Sequence, residues 1–197
     1  MPELFGRVRE RARATLGDEV DVELYPITAG DDEIPRNTPI ADELVAIHGG
    51  APGFDEDGRL VTPERVLTDA EKPRYPLQIA KGLPFGTANP LDAYRPVPNG
   101  QRHVPLEQII LVGDGASDLP AFRILCENAG LPLALSQNDE GGVRKHRDES
   151  FGDRRLEHVA PADYTEDGEA PASILLAVDA IASRMALRRL SVDRRDG

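Results

Sequence analysis

The residues best suited to chemistry lie where an apolar run meets a glycine-rich turn. Gln108–Val112 is mostly apolar, Gly113-Asp114-Gly115 follows it, and Asp118 stands four residues after Asp114. This order predicts a buried strand, a tight turn and then a helix over Leu119–Ala129. The strand would deliver Asp114 to its carboxyl end, where open α/β sheets bind ligands, and Asp118 in the first helical turn can face the same space.

Two carboxylates placed this close together repel each other unless positive charge lies near them. A divalent cation such as Mg²⁺, held by carboxylate oxygens and water, meets that need. Taken singly, Asp114 is equally typical of a turn and Asp118 of a helix cap. The complete strand, GDGxxD turn and helix favour a metal site with Asp114 and Asp118 as ligands. A dinucleotide-binding loop would need G-x-G-x-x-G, and Asp118 stands where its third glycine belongs.

The segment Val112–Phe122 resembles the fourth motif of the haloacid dehalogenase-like (HAD) hydrolases. Two weaker likenesses accompany it in the family's order along the chain. Tyr25–Gly30 resembles the strand that ends in the second-motif hydroxyl residue, here Thr28, and Lys72 resembles the third-motif lysine. Ala160–Tyr164 is also similar to a late segment of uncharacterised bacterial members. The resemblance therefore covers most of the chain.

The resemblance implies a Mg²⁺-dependent phosphohydrolase that acts on a small phosphorylated substrate through an aspartyl-phosphate. Asp114 would bind Mg²⁺, and Asp118 would hold the water shell of the ion or orient Lys72. Thr28 and Lys72 would hydrogen-bond or neutralise the phosphoryl oxygens, while Gly113 and Gly115 leave room for the ligand. Without the resemblance, Thr28 is an ordinary strand-end hydroxyl and Lys72 an exposed lysine.

The nucleophile motif of the family, D-x-D-x-[TV] after a buried strand, is absent. The one D-x-D, Asp55-Glu56-Asp57, lies at the tip of a predicted hairpin and follows Thr28 instead of preceding it. Asp18 and Asp21 are three residues apart and lack an apolar strand before them. The chain is therefore expected to be inactive alone. A non-catalytic Mg²⁺- and phosphate-binding domain, or a purely structural or interaction domain, remains the alternative.

In the family, the missing strand is central and lies between the strands that carry Thr28 and Asp114. Its loss leaves a slot with two unpaired strand edges, and each buried unpaired backbone group costs about 1–3 kcal/mol. Three outcomes are open: the two strands close up, another chain fills the slot, or the isolated chain folds poorly. We interpret the sequence as N-terminally incomplete, through a misassigned start at Met1, truncation or degeneration.

The remaining pattern predicts one α/β domain over residues 1–197, Rossmann-like, with a mainly parallel sheet and helices on both faces. A β-hairpin is expected at 49–63, a loop at 85–105 and a flexible tail at 191–197. Further helices are predicted at Phe5–Leu16, Thr38–His48, Lys72–Leu83, Glu140–Glu149 and Pro171–Leu190, and strands at Val20–Ile27, Leu131–Leu135 and His158–Ala160.

Composition narrows the partners. With 23 Lys and Arg against 35 Asp and Glu, the formal net charge is −12, which disfavours a nucleic-acid partner. No unbroken apolar run approaches a membrane span, and the charged N-terminus does not resemble a signal peptide. Cys126 is the single cysteine, so neither a disulfide framework nor a cysteine zinc cage is possible within the chain. A cytoplasmic location is expected, and the oligomeric state is open.

Overall fold

The fold combines helices with two small parallel sheets. A computed structural model describes residues 2–114, 116–136 and 158–193. Its helices are α1 (Pro2–Leu16), α2 (Glu33–Arg36), α3 (Arg74–Lys81), α4 (Leu119–Glu127) and α5 (Glu169–Asp193), and its strands are β1 (Ile27–Asp31), β2 (His48–Gly50), β3 (Ile110–Gly113), β4 (Leu131–Ser136) and β5 (Val159–Pro161). The prediction of a mixed α/β fold with parallel strands is confirmed. The described strands form two separate sheets.

The larger sheet has the order β3-β4-β5, with all neighbours parallel. Ile110 pairs with Leu131 and Ala134 with Val159, so β4 is central and β3 is an edge strand. Helix α4 covers this sheet by burying Phe122 against Ala134. The elements predicted over 108–161 are therefore present, apart from the Glu140–Glu149 helix, which lies outside the described residues.

The smaller sheet contains β1 and β2, and two sequence predictions fail here. Ile27 pairs with His48, and the parallel pairing begins earlier, where the Val45 N–H donates to the Leu24 carbonyl at 3.0 Å. The strand predicted at Val20–Ile27 is assigned only from Ile27 onward. The helix predicted at Thr38–His48 is wrong, because that stretch holds a single 3₁₀ turn, Ala41–Glu43, and then extends into β2.

An antiparallel hairpin follows β2. Backbone bridges join Phe54 to Leu60 and Ala51 to Arg65, across a turn in which Gly58 adopts a φ of +76°. The turn is supported by the Asp55 carboxylate, which accepts hydrogen bonds from the backbone N–H groups of Asp57 and Arg59 at 3.0 and 2.8 Å. The hairpin ends at Arg65, two residues beyond the predicted range of 49–63.

The two long helices, α1 and α5, pack against each other. Leu4, Val8 and Ala12 recur at helical spacing on α1 and pack with Val178 of α5. Arg11 also forms a double hydrogen bond with Asp179, at 2.7 and 2.8 Å. These contacts place both helices along one side of β3.

Helix α5 differs from its prediction at the C-terminal end. Leu190, the last residue of the predicted helix, is 60% exposed, and the helix includes the first three residues of the tail predicted at 191–197. Within Glu169–Ser191, an 18-residue window with a mean hydropathy of 1.5 makes the helix long and apolar enough to cross a membrane. The sequence contains no unbroken apolar run there because polar residues interrupt it. Core helices of soluble proteins meet the same criterion.

Candidate active site

The two sheets border a common cleft. It has a volume of about 810 Å³, and its walls include β1, β3, α1 and α5. Thr28, Lys72, Asp114 and Asp118 all line it, together with Gly113. The side chains selected from the sequence, separated by up to ninety positions, thus meet in one space.

Lys72 and Asp118 form the best-defined pair in the cleft. The Lys72 ammonium donates to Asp118 Oδ1 at 2.8 Å and to Ser117 Oγ at 2.7 Å. The Lys72 side chain is 12% exposed and that of Asp118 16%. Of the two roles that the resemblance offers for Asp118, direct contact with Lys72 is the arrangement seen. Ser117 was not selected from the sequence, although it lies inside the motif.

Short turns bring this pair together. Lys72 follows the 3₁₀ helix Asp69–Glu71, and Asp118 ends the 3₁₀ helix Ala116–Asp118. The first turn is fixed by Glu71, whose carboxylate accepts from the Thr68 backbone N–H at 3.0 Å and pairs with Arg74 at 3.2 Å. These local contacts hold Lys72 at the start of α3, where its side chain reaches the cleft.

Gly113 has a steric function at the end of β3. A Cβ atom built there would lie 2.4 Å from Asp118 Oδ2 and 2.8 Å from its Cγ. A side chain at this position would therefore displace the carboxylate that holds Lys72. The sequence assigned Gly113 to ligand space, whereas the structure has it accommodate Asp118. Gly115, the other glycine of the turn, lies outside the described residues.

Thr28 occupies the second position of β1, not the end of a strand as predicted. The difference arises because the strand continues to Asp31 opposite Gly50. Thr28 Oγ1 accepts a hydrogen bond from the Gly30 backbone N–H at 3.0 Å. A hydroxyl that accepts in this way keeps its own proton for donation.

Asp114 directly follows β3 and is exposed. Its neighbour in the loop after β5 is Tyr164. Burial raises the pKa of the Tyr164 phenol, and the Asp114 carboxylate raises it further because a second negative charge nearby is unfavourable. Sequence reasoning did not select Tyr164 as a site residue. The only signal was the family-like segment Ala160–Tyr164.

Two further carboxylates line the cleft and were also missed. Glu23 accepts from the Tyr25 hydroxyl at 2.7 Å and pairs with His103 Nε2 at 2.7 Å. Burial and this hydrogen bond raise the pKa of Tyr25. Asp21 is 76% exposed and lies 3.9 Å from Arg13. The predicted regular strand would alternate its faces, but the coil observed here brings both apolar and acidic residues to the cleft.

The carboxylates of the cleft fit Mg²⁺ only if water and phosphate oxygens complete its coordination. In the described ranges no group of three or more His, Cys, Asp or Glu side chains could enclose a metal. Mg²⁺ needs no such cage, because it is commonly bound by one or two carboxylates, water and substrate phosphate oxygens. Asp114 fits as a direct ligand. Since Asp118 is engaged by Lys72, it fits best as a support for Lys72 and for metal-bound water.

The D-x-D pair lies elsewhere. Asp55 and Asp57 are exposed at the tip of the hairpin, where Asp57 pairs with Arg59 at 2.7 Å. Neither lines the cleft. Their interpretation as turn residues is consistent with these contacts.

Comparison with known proteins adds no family. No family model matches the chain, and no curated protein matches it significantly. The resemblance therefore rests on the motif residues and on their common cleft.

Proposed function

We propose that this chain is a HAD-like, Rossmann-type domain that binds Mg²⁺ and the phosphoryl group of a small phosphorylated ligand. It belongs by type to the phosphohydrolases but does not hydrolyse the ligand alone. The observation that carries the proposal is the convergence of Thr28, Lys72, Asp114 and Asp118 on one cleft. The strong negative charge of the chain supports a small ligand over a nucleic acid and suits a cytoplasmic protein.

The protein groups would stabilise phosphoryl oxygens by charge and hydrogen bonding. Lys72 supplies a partly buried positive charge whose position is fixed by Asp118 and Ser117. Thr28 can donate its hydroxyl proton. A bound Mg²⁺ at Asp114 would neutralise further charge on the phosphoryl group. These are the groups that phosphoryl transfer requires apart from the nucleophile.

None of the acidic residues of the described cleft stands in the family's nucleophile position. Asp118 is held by Lys72, Asp114 follows β3, Glu23 is engaged by Tyr25 and His103, and Asp21 precedes β1 without a strand of its own. Removing the nucleophile of a well-studied protease lowers kcat by about 10⁶-fold. A loss of comparable size is expected here, so the chain should bind without turnover.

Calorimetric titration tests the binding. We expect saturable heat with MgCl₂, and tighter uptake of inorganic phosphate when Mg²⁺ is present. Asp114→Asn should weaken the Mg²⁺ response at least tenfold. The matched control Asp57→Asn removes an exposed carboxylate outside the cleft and should leave it unchanged. No saturable site, or equal loss in both variants, would favour a structural or interaction domain in which Gly113–Asp118 is only a turn.

Turnover of p-nitrophenyl phosphate tests the second part of the proposal. The rate should remain near the uncatalysed background with Mg²⁺ present. Robust turnover that is lost in Asp21→Asn would identify Asp21 as a nucleophile, and the non-catalytic assignment would then be wrong.

A further inference from the structure

Strand β3 is apolar throughout, yet it is less completely buried than its neighbour. Val112 is 36% exposed, and Ile110 and Leu111 are only partly buried. Its neighbour β4 buries Leu133, Ala134 and Leu135 almost completely. Continuous apolar strands of parallel sheets are normally covered on both faces. Within the described residues, α1 and α5 pack on Ile110 and α4 packs on Leu111, so the part of β3 that is left open is its edge at Val112.

The missing cover lies along an open strand edge. Among the described strands β3 pairs with β4 and β1 with β2, so each has one unpaired edge there, and both β1 and β3 line the cleft. The Leu131 N–H donates to the Ile109 carbonyl at 3.0 Å, so Ile109 directs its backbone groups toward β4. Because successive residues of a strand alternate, the backbone groups of Ile110 and Val112 are directed toward the open side.

The helical walls of the cleft are apolar. Val8 of α1 and Val178 and Ile181 of α5 line it, along with the aliphatic residues that precede β1. An occupant must therefore present aliphatic side chains to the helices and main-chain hydrogen-bonding groups to the strand edges. An extended peptide satisfies both requirements, whereas a small apolar molecule would leave the strand edges unpaired.

We propose that the cleft accepts an extended aliphatic segment of a partner polypeptide as an added parallel strand between β1 and β3. Strand addition of this kind derives affinity from main-chain hydrogen bonds and specificity from alternate side chains. The added strand would join the two sheets into one and cover Val112. The inference rests on strand edges and burial, and it stands whether or not the cleft binds phosphate.

A labelled peptide tests the proposal. The probe is a fluorescein-labelled peptide with five alternating valine and isoleucine residues, flanked by lysines for solubility. We expect a saturable rise in fluorescence anisotropy with the full chain. Hydrogen exchange should show protection of the Ile110 and Val112 amides by at least tenfold when the peptide is bound. A scrambled peptide in which Asp and Pro interrupt the aliphatic run should not bind.

Matched variants distinguish peptide binding in the cleft from nonspecific binding elsewhere on the surface. Val112→Lys introduces a charge at the open edge, and Val66→Lys makes the same exchange at a site that is 63% exposed and outside the cleft. We expect at least a tenfold loss of peptide binding in Val112→Lys and none in Val66→Lys. Circular dichroism and thermal unfolding establish that both variants remain folded. If Val112→Lys does not fold, competition by the unlabelled peptide and the amide protection decide the question.

Other occupants give distinct results that would overturn the proposal. A concentration-dependent dimer that protects the same amides without peptide would assign the cleft to a second copy of the chain. Release of a lipid or other apolar molecule from purified protein, with no amide protection by the peptide, would assign it to a small ligand. Equal peptide binding by the wild type and Val112→Lys would place the peptide elsewhere.

Discussion

Two clusters of charged side chains, one around Asp32 and one formed by Lys72 and Asp118, have different surroundings. Asp32, beside β1, has a side chain only 6% exposed and accepts from Arg65 at 2.8 Å and Arg36 at 3.1 Å. Arg65 and Arg36 are 34% and 51% exposed, whereas Lys72 and Asp118, at 12% and 16%, line the cleft. Asp32 is absent from the cleft lining. The comparison indicates that Asp32 holds the smaller sheet and the hairpin together, whereas Lys72 and Asp118 are arranged toward a space that a ligand can enter.

The neighbours of Asp32 support its structural role. Arg65 also donates to the Gly49 carbonyl at 2.7 Å and lies 4.7 Å from the centre of the Phe85 ring. A Cβ atom on Gly49 would lie 2.8 Å from the Asp32 Cβ, so β2 packs closely against this carboxylate. Charge, packing and backbone contacts thus converge on Asp32 with no room for a ligand.

The largest effect is expected from removing the buried Asp32 carboxylate. Asp32→Asn loses two charge-assisted hydrogen bonds while Arg65 and Arg36 can still reach water, and it should lower the free energy of unfolding by about 3 kcal/mol. Chemical denaturation measures the loss. The control Asp57→Asn breaks an exposed pair and should cost less than about 1 kcal/mol. Equal effects would remove the structural distinction drawn for Asp32.

His48, in strand β2, should make the free energy of unfolding depend on pH. It is buried against Tyr75 and Phe85, its Nδ1 has no hydrogen-bond partner within the described residues, and burial together with Arg65 and Arg74 lowers its pKa from 6.5 to about 4. Between those pH values the unfolded chain binds a proton that the folded chain does not. Stability is therefore lost as pH falls from 6.5 to 4, by up to about 3 kcal/mol.

Denaturation at several pH values measures this effect, with His48→Phe as the comparison. The variant retains an aromatic ring but cannot bind the proton, so its stability should fall less steeply over that range. Other carboxylates titrate in both proteins, and the difference between the two slopes isolates His48. Parallel slopes would mean that His48 accepts a proton without opening its aromatic surroundings.

In contrast to Asp32, substitution in the Lys72–Asp118 pair should cause a small change in stability and a large one in phosphate binding. Lys72→Met should lower the free energy of unfolding by about 1–2 kcal/mol, less than Asp32→Asn, because the Asp118 carboxylate borders the cleft and can be solvated there. Phosphate uptake measured by calorimetry should fall at least tenfold. A stability loss as large as that of Asp32→Asn would make Lys72 a structural residue and weaken the proposed function.

The smallest effect concerns coupling between Gly113 and Lys72. Gly113→Ala should displace the Asp118 carboxylate and so break the same contact as Lys72→Met. The double variant should then cost about as much as the worse single variant, with a coupling of about 0.5–1 kcal/mol. A double-mutant cycle in denaturant measures it. Additive losses would show that Gly113 acts on β3 independently of Lys72.

Sequence prediction succeeded where each element depends on residues close to it along the chain. The strand, turn and helix from Gln108 to Ala129 are adjacent in sequence, so one apolar run and two glycines specify them. It failed around Thr38–His48, where Thr38 and Pro39 gave a helix-start signal. There, parallel pairing with the segment that ends at Asp31 determines the conformation, and a local pattern does not encode that distant partner.

The site divides in the same way. Asp114 and Asp118 line the cleft and were selected because they lie within one local motif, and Thr28 and Lys72 because of a family resemblance. Glu23, which also lines the cleft, was missed, as was Tyr164, which is affected by Asp114 but is outside the cleft lining. Both lie in irregular backbone, where no periodicity marks which residues face inward.

By itself, the sequence determined the local elements and which side chains could be proposed as metal and phosphoryl ligands, because these depend on residue type and short-range spacing. Only the tertiary structure decided that Asp118 holds Lys72, that Asp32 is structural, and that the two sheets remain apart. Those outcomes depend on which distant segments pack together and on which strand edges find partners. The open edge of β3 is the clearest case, because a local apolar run does not specify whether a distant segment will pair with it.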